Sequence, residues 1–369
     1  MSQTIVITGQ ILTEDGFVPG RLRCTAAIQA IEPSTDAPAD RFVLPGFIDL
    51  HVHGGAGADC MAGADAVRRM AAFHAGHGTT ALLATTVTAP RAELLSAFRG
   101  IGAAMKAHAP GAARILGAHL EGPFISPEAL GAQPPFAIGP DLDLVDELAA
   151  LAPIRVATMA PEIDPDGALL THFIAQGVRA QIGHTACSYV QAHAALAAGA
   201  AGFTHLFNAM SGLHHRQAGA VGAALAHGDW AELILDFVHV EAAARVALRA
   251  IPHLYCITDA VAATGMPPGE YRLGQHLIFK HEDAVRLADG TLAGSVLTMD
   301  QALRNLLHLG LSLDQAARRC ATLPADYLGL EGRGRLVPGA VADVVVVDRA
   351  GRLEAVFAEG RPVPAAGQD

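Results

Sequence analysis

Hydrophobic and polar positions along the chain follow two regimes. Near the start, Thr4–Thr13 and then roughly Leu22–Ile31 alternate with period two, with Gly16 and Gly20 as turns between them. Near the end, Ala340–Val347 and Leu353–Val363 do the same, punctuated by Gly351 and Gly360. Alternation of this kind gives a strand one face for a core and one for solvent. Neither end is large enough to enclose a core alone. The pattern therefore predicts a small β-sandwich built from both termini, residues 1–44 with 331–369, in which Ser34–Asp40 is a Pro/Asp/Ala loop.

Between the ends, continuous apolar runs take turns with Ala-rich helical segments. The runs are Gly46–His53, Thr79–Val87, Arg114–Glu121, Ile154–Ala160, Val178–His184, Gly202–Asn208, Leu233–Val240 and Tyr255–Ala260. The helical segments are Ala64–Ala75, Arg91–His108, Asp141–Leu151, Pro165–Gln176, Ser188–Ala198 and Glu241–Ala250. Two later helices carry capping-box spacing, Thr298-x-x-Gln301 and Ser312-x-x-Gln315. Eight β units, each followed by a helix or long loop, predict a (β/α)8 barrel over residues 45–330. A doubly wound open sheet is the rival. No Gly-x-Gly-x-x-Gly follows the first run, and polar groups end many strands instead of meeting at one switch point.

In a barrel of this class the chemistry sits at the C-terminal ends of the strands. Those ends carry His51 and His53, Glu121, His184, His205, His239 and Asp259. His51 and His53, two apart on one strand, share a face, and paired imidazoles suit a divalent metal. A bare HxH is more often one packed and one surface histidine. Metal-ligand or acid–base residues at six strand ends are hard to explain as packing. His119 shares a face with Glu121 and is the competing ligand; Glu121 is favoured because it closes its strand just before a Gly-Pro turn. His74, His77, His108, His172, His193, His227 and His253 fall on or near helices and read as ordinary packed or surface histidines. One carboxylate with two imidazoles leaves open positions for water, the mark of a catalytic site. Asp259 then suits a general base that later serves as general acid, and His239 a donor to a developing oxyanion.

Composition narrows the classes. Hydrophobic residues make up 51% and charged ones 17%, so a large core is available and wholesale disorder is excluded. A net charge of -11 argues against a nucleic-acid surface. The cysteines (Cys24, Cys60, Cys187, Cys256, Cys320) are odd in number and contain no CxxC, which predicts free thiols in a reducing compartment. The start lacks a basic region and an apolar signal core, and no apolar run is long enough to span a bilayer, so a cytoplasmic location is expected.

The motifs HVHGG, HLEGPFIS, GHTACSY, THLFNAMSGLHHR, DFVHV, TDAVAATG and TLAGSVLTM together resemble the amidohydrolase superfamily, and within it the N-acetylglucosamine-6-phosphate deacetylase family. The resemblance runs through almost the whole chain. It implies hydrolysis of the acetamide of an N-acetylated hexosamine 6-phosphate by a divalent metal, zinc first, at one or two ions per chain. It also implies metal ligands at Glu121, His184 and His205, with His51 and His53 able to hold a second ion, and a catalytic aspartate at Asp259. Substrate contacts would fall on Ala132, Gln133, Asn208, Ala209, Arg216, Asp236 through His239, Leu292, Ala293 and Gly294. A homodimer follows from the family, the neighbouring subunit helping to close the phosphate pocket. One departure is visible. Where the family carries Lys-Gly-Ala-His, this chain has Leu130-Gly131-Ala132-Gln133, so two potential cations are missing; Arg216, Asn208 and His214 or His215 are left for the phosphate, with Arg216 the expected main anchor. Other readings are an N-acetylgalactosamine 6-phosphate or unphosphorylated amino-sugar deacetylase, and a cyclic-amide hydrolase, against which stands the absence of lysine from Ile154–Glu162. A non-catalytic assembly protein would have lost ligands that this chain keeps.

Overall fold

In the computed structural model, which describes residues 4–364, eight parallel strands run in strict sequence order: Phe47–Val52, Thr79–Thr86, Arg114–Glu121, Ile154–Met159, Arg179–Ile182, Gly202–Phe203, Trp230–Ile234 and His253–Ile257. The eighth closes on the first at its C-terminal end. The amide of Asp259 donates to the carbonyl of His51 at 2.9 Å, and that of His53 to Ala260, also at 2.9 Å. The sheet is therefore a nearly closed (β/α)8 barrel. Apolar runs without alternation form these strands because barrel interior and helix layer bury both faces. The first two strands are buried throughout.

The helices follow the predicted stripes. Ala64–Ala75 has the expected bounds, and the second runs Arg91–Lys106. Asp141 and Ser188 are N-caps, each side chain accepting from the backbone of the first turn. Ser312 closes its capping box with Gln315, whereas Thr298 makes no side-chain cap bond. Three elements depart from the expectation. The seventh strand is Trp230–Ile234, not the apolar run Leu233–Val240, so His239 lies beyond it in the following loop. Gly219–His227 is a helix after the sixth strand; it is apolar nearly all round, so no amphipathic stripe marked it. Residues 269–286 form a three-stranded antiparallel sheet, Gly269–Leu273, His276–His281 and Ala284–Arg286, between the eighth strand and the helix Met299–His308. Its Leu273 reaches the mouth of the barrel.

Both termini join in one seven-stranded sheet of spatial order 361–362, 353–358, 344–348, 41–45, 5–13, 16–24, 28–33. Gly20 is not a turn: it lies mid-strand opposite Gly9, where a Cβ would meet the Glu32 carbonyl oxygen at 2.8 Å. Gly16–Cys24 and Ile28–Pro33 are separate strands, where the alternation suggested one. Val344–Asp348 shows why this sheet and the barrel fold together. Val344 and Val346 pack with Ile7, Ile11 and Leu22 on one face, while Val345 and Val347 join the barrel core on the other. Arg114 of the third barrel strand forks onto Glu359 at 2.7 and 2.8 Å, and Arg333 bridges Glu359 and Asp343. Arg114 first, and Arg333 with it, hold the Glu359 carboxyl at about 2 against the effect of burial. A carboxyl depressed in the fold contributes stability above its unfolded value of about 4.3 and loses it as pH falls toward 2. Glu359→Gln is thus expected to lower the melting temperature by a few degrees at pH 7, an effect of about 1 kcal/mol after solvent screening. The gap from the parent should close as a pH series of melting curves approaches pH 2; a gap that does not change with pH would refute the assignment.

Candidate active site

The first barrel strand turns Asp49, His51 and His53 to one side. Asp49 accepts from Thr258 Oγ1 at 2.6 Å and from the amides of His51 and Thr258 at 3.2 Å, which ties the first strand to the eighth beneath the site. Burial pushes this carboxyl up to about 7 even so. His184, His205 and Asp259 each lie two residues past the end of their strands, not on them as the apolar runs suggested. Their φ values are 46°, 27° and 52°, in left-handed backbone. Among the described residues nine non-glycine residues have positive φ, and five of them (with Phe207 and Ala209) lie in these loops, with Phe237 in the loop after the seventh strand. Each such residue costs about 1–3 kcal/mol, so the surrounding fold must hold them there.

The reason lies in where the side chains meet. Glu121 Oε1 stands 3.2 Å from His184 Nε2 and 2.9 Å from His205 Nε2, and those two nitrogens are 3.1 Å apart. On the other side, His51 Nε2 is 3.3 Å from Glu121 Oε1, His53 Nε2 is 3.2 Å from Glu121 Oε2, and the two nitrogens are 3.2 Å apart. Asp259 Oδ1 faces His53 Nε2 at 3.1 Å. Ligands about 2.1 Å from a tetrahedral ion stand roughly 3.4 Å from one another, so both triangles have the spacing of a divalent-ion shell sharing Glu121.

Hydrogen bonds on the far side of each ring sharpen this. His51 Nδ1 meets Glu232 Oε2 at 3.0 Å, His53 Nδ1 the Thr85 carbonyl at 3.2 Å, and His184 Nδ1 the Ala129 carbonyl at 3.0 Å. Nδ1 therefore donates in all three, and Nε2 turns inward. Nitrogen lone pairs converging at this distance need a cation between them. Without a metal, protons must serve. Burial favours neutral rings, yet Glu121, Glu232 and Asp259 outweigh it and raise His51, while Asp259 and Glu121 raise His53 to about 9. Conversely, burial would raise Glu121 and Asp259, but the histidines beside them hold both below the usual carboxylate range. These residues fit one divalent ion on Glu121, His184 and His205, and a second on His51, His53 and Glu121. His119 is no ligand: its Nδ1 faces the Leu50 carbonyl at 3.0 Å and its Nε2 Thr158 Oγ1 at 2.8 Å.

A cleft of about 220 Å³ opens above this cluster. Ala132, Gln133, Asn208, Ala209, His239, Leu292 and Gly294 line it together with His53, Glu121, His184, His205 and Asp259. The other expected substrate positions stand elsewhere. Ala293 is buried between its neighbours. Asp236 grips His239, accepting from its Nδ1 at 2.7 Å and from its amide at 2.8 Å. Burial lowers the affinity of His239 for a proton, but the Asp236 contact prevails and raises it. Gln133 does not face outward as a stand-in for a phosphate-binding histidine. Its Nε2 donates to Glu121 Oε2 and its Oε1 accepts from the Thr88 amide at 2.7 Å. Arg216 lies outside the cleft, on an exposed loop where the His214 and Gln217 backbones bond to each other.

Sequence reasoning missed Glu232. The one signal was a carboxylate inside the apolar strand Trp230–Ile234, where an unpartnered charge would be prohibitive.

The chain matches the amidohydrolase family over residues 42–363. It is 39% identical to N-acetylgalactosamine-6-phosphate deacetylase of Escherichia coli O157:H7 over 95% of this chain and 97% of that protein. It is 38% identical to N-acetylglucosamine-6-phosphate deacetylase of Lysinibacillus sphaericus over 87% and 85%. An N-acetyl-D-glucosamine-6-phosphate deacetylase mutant from Mycobacterium smegmatis, solved in complex with N-acetyl-D-glucosamine-6-phosphate, superposes with a TM-score of 0.91 at 35% identity, covering 98% of this chain and 99% of that one. The barrel, the shared carboxylate and the four converging imidazoles agree with these likenesses: the chain belongs to the amidohydrolase family.

Proposed function

We propose that this chain hydrolyses the acetamide of N-acetyl-D-glucosamine 6-phosphate to D-glucosamine 6-phosphate and acetate. The observation that carries the reading is the pair of donor triangles around Glu121, with Asp259 at their edge and the floor of a sugar-sized cleft above. A divalent ion there, zinc by the N/O donor set, would supply the Lewis acidity that acidifies a water and polarises the acetyl carbonyl. Asp259, held ionised, accepts the water's proton and returns it to the leaving amine. His239, whose protonated form Asp236 favours by accepting from Nδ1, offers the imidazolium Nε2–H to the oxygen that gains charge. Gln133 keeps the Glu121 carboxylate turned toward the histidines.

The substrate's phosphate is assigned to Arg216 of a second copy of this chain. Arg216 is exposed beside Leu213 (59% exposed) and Val190 (72%), an apolar margin that suits a homodimer contact. Five unpaired, buried cysteines suit a reducing cytoplasm. A second reading, the C4 epimer N-acetylgalactosamine 6-phosphate, is favoured by the E. coli relative.

The test is release of free amine from both epimers, each with and without 6-phosphate, by zinc-loaded enzyme. N-acetylglucosamine 6-phosphate should give the highest kcat/KM. Hydrogen bonds to a charged group contribute about 1.5–3 kcal/mol, so phosphate should be worth at least about tenfold. Arg216→Ala should erase most of that factor and barely alter turnover of the unphosphorylated sugar. A higher value for the galacto epimer would install the second reading, and equal values with and without phosphate would remove phosphate recognition altogether.

A further inference from the structure

Glu232 is fully buried on the seventh barrel strand and does not line the cleft. Its Oε2 accepts from His51 Nδ1 at 3.0 Å and from the backbone amide of His205 at 3.3 Å. Its Oε1 accepts from Tyr255 Oη, also at 3.3 Å. Tyr255 is itself fixed: Gln181 Nε2 donates to the Tyr255 and Tyr327 oxygens at 2.9 and 3.0 Å, and Gln181 Oε1 accepts from Thr204 Oγ1 at 2.8 Å. The network runs on through Thr158 to His119, so it underlies the third to eighth strands. A buried carboxylate carries a large desolvation cost, and this one touches no substrate-facing surface. Its partners explain its presence. Besides Tyr255, one is the side chain of a donor in the His51–His53 triangle and another is the backbone of a donor in the His184–His205 triangle.

The two contacts differ in consequence. His205 also has the Glu121 contact to orient its ring. The His51 ring pivots about its Cβ, and among the described residues Glu232 is the only acceptor on its Nδ1. Without that acceptor the ring is free to present Nδ1 or to turn Nε2 away from His53 and Glu121. His51, His119 and Glu232 also come together closely enough to suggest an ion of their own. Both His119 nitrogens are already used, which leaves orientation of His51 as the chemistry the group can perform.

We propose that Glu232 is the positioning residue for the second divalent ion: it holds His51 with Nε2 in the His53–Glu121 triangle, and its loss costs that ion while sparing the one on Glu121, His184 and His205. The proposal rests on the metal-dependent reading above and not on the identity of the sugar. Outer partners of metal-bound histidines typically contribute 10–100-fold in metal affinity.

The experiment titrates zinc into metal-free enzyme and into Glu232→Ala and Glu232→Gln. Calorimetry supplies affinities and elemental analysis at limiting free zinc supplies content. The parent should take up near two ions per chain. Glu232→Ala should bind the second ion 10–100-fold more weakly and carry near one, with the first affinity unchanged. Glu232→Gln should recover much of the loss, because the amide oxygen can accept from His51 Nδ1 while its NH2 donates to Tyr255 Oη. Melting curves of the metal-free proteins separate this pattern from unfolding, and the glutamine variant keeps the volume of the parent. Two ions held by Glu232→Ala at parental affinity would overturn the proposal. So would equal loss of both ions in the two variants, or a parent that never binds more than one. An enzyme that shows the expected zinc pattern yet releases no amine from any of the sugars would leave Glu232 in place and remove the deacetylase reading instead.

Discussion

Asp259→Asn is expected to lower kcat for deacetylation by roughly 10²–10⁴, the usual worth of a positioned general acid–base group. The change is chosen so that little else moves. Asp259 sits at φ 52°, and asparagine is among the few residues that tolerate left-handed backbone. The backbone bonds that fix the turn, Asp259 N–H to the His51 carbonyl at 2.9 Å and Ser295 N–H to the Asp259 carbonyl at 2.8 Å, do not involve the side chain. An amide keeps the size and one acceptor oxygen, and it loses the ability to take a proton. KM should stay within a few-fold, because the cleft and its substrate contacts are intact. Zinc on Glu121, His184 and His205 should be unchanged, since Asp259 faces His51 and His53. Steady-state kinetics with zinc content measured on the same sample decides it. A variant within a few-fold of parental kcat would mean that another group carries the proton, and Asp259 would then be no more than a neighbour of His53.

The sequence allowed parts of this site to be read and concealed others, for reasons that follow from what local pattern can encode. Barrel strands are apolar on both faces and bounded by turn residues, so Arg114–Glu121 could be read with its bounds intact. An amphipathic stripe marked Ala64–Ala75, but Gly219–His227, apolar nearly all round, had no stripe to show. His184, His205 and Asp259 could be identified as site residues from their place at the ends of apolar runs. That each lies beyond its strand in left-handed backbone is decided by the convergence of side chains from different strands, which local alternation does not record. The amide of Gln133 turns to Glu121 because the Thr88 amide, 45 residues away in the chain, holds its other end. Arg216 lies on a loop whose purpose depends on what covers it. Glu232 is the instructive omission. A lone carboxylate in WAELI demanded a buried partner on physical grounds, and asking for that partner would have led to His51.

Glu121→Gln is expected to abolish activity by removing the ions. Glu121 is about 1% exposed, and it is the one residue shared by both donor triangles: Oε1 lies within 3.3 Å of His51, His184 and His205, and Oε2 is 3.2 Å from His53. Although burial would raise this carboxyl, His51 and His184 hold it well below the usual range, so it is an anion in the fold. The glutamine is of equal size, which excludes a cavity effect. It substitutes a neutral amide for the anion and turns an NH2 toward nitrogens or a cation that need a negative partner, so both ions should be lost or weakened together. Glu232→Ala, by contrast, is expected to cost only one. Without the ion a water near pH 7 is no longer acidified from its bulk value of 15.7, and activity should fall below about a thousandth of the parent. A thermal readout checks the same claim without catalysis. An ion that binds only the folded chain stabilises it by about 2.7 kcal/mol at a hundred times its Kd. Added zinc should therefore raise the melting temperature of the parent, and a chelator should lower it. Neither should move that of Glu121→Gln. A variant that keeps the zinc-dependent rise in melting temperature would show that the imidazoles alone hold the ion, and Glu121 would lose its place at the centre of the site.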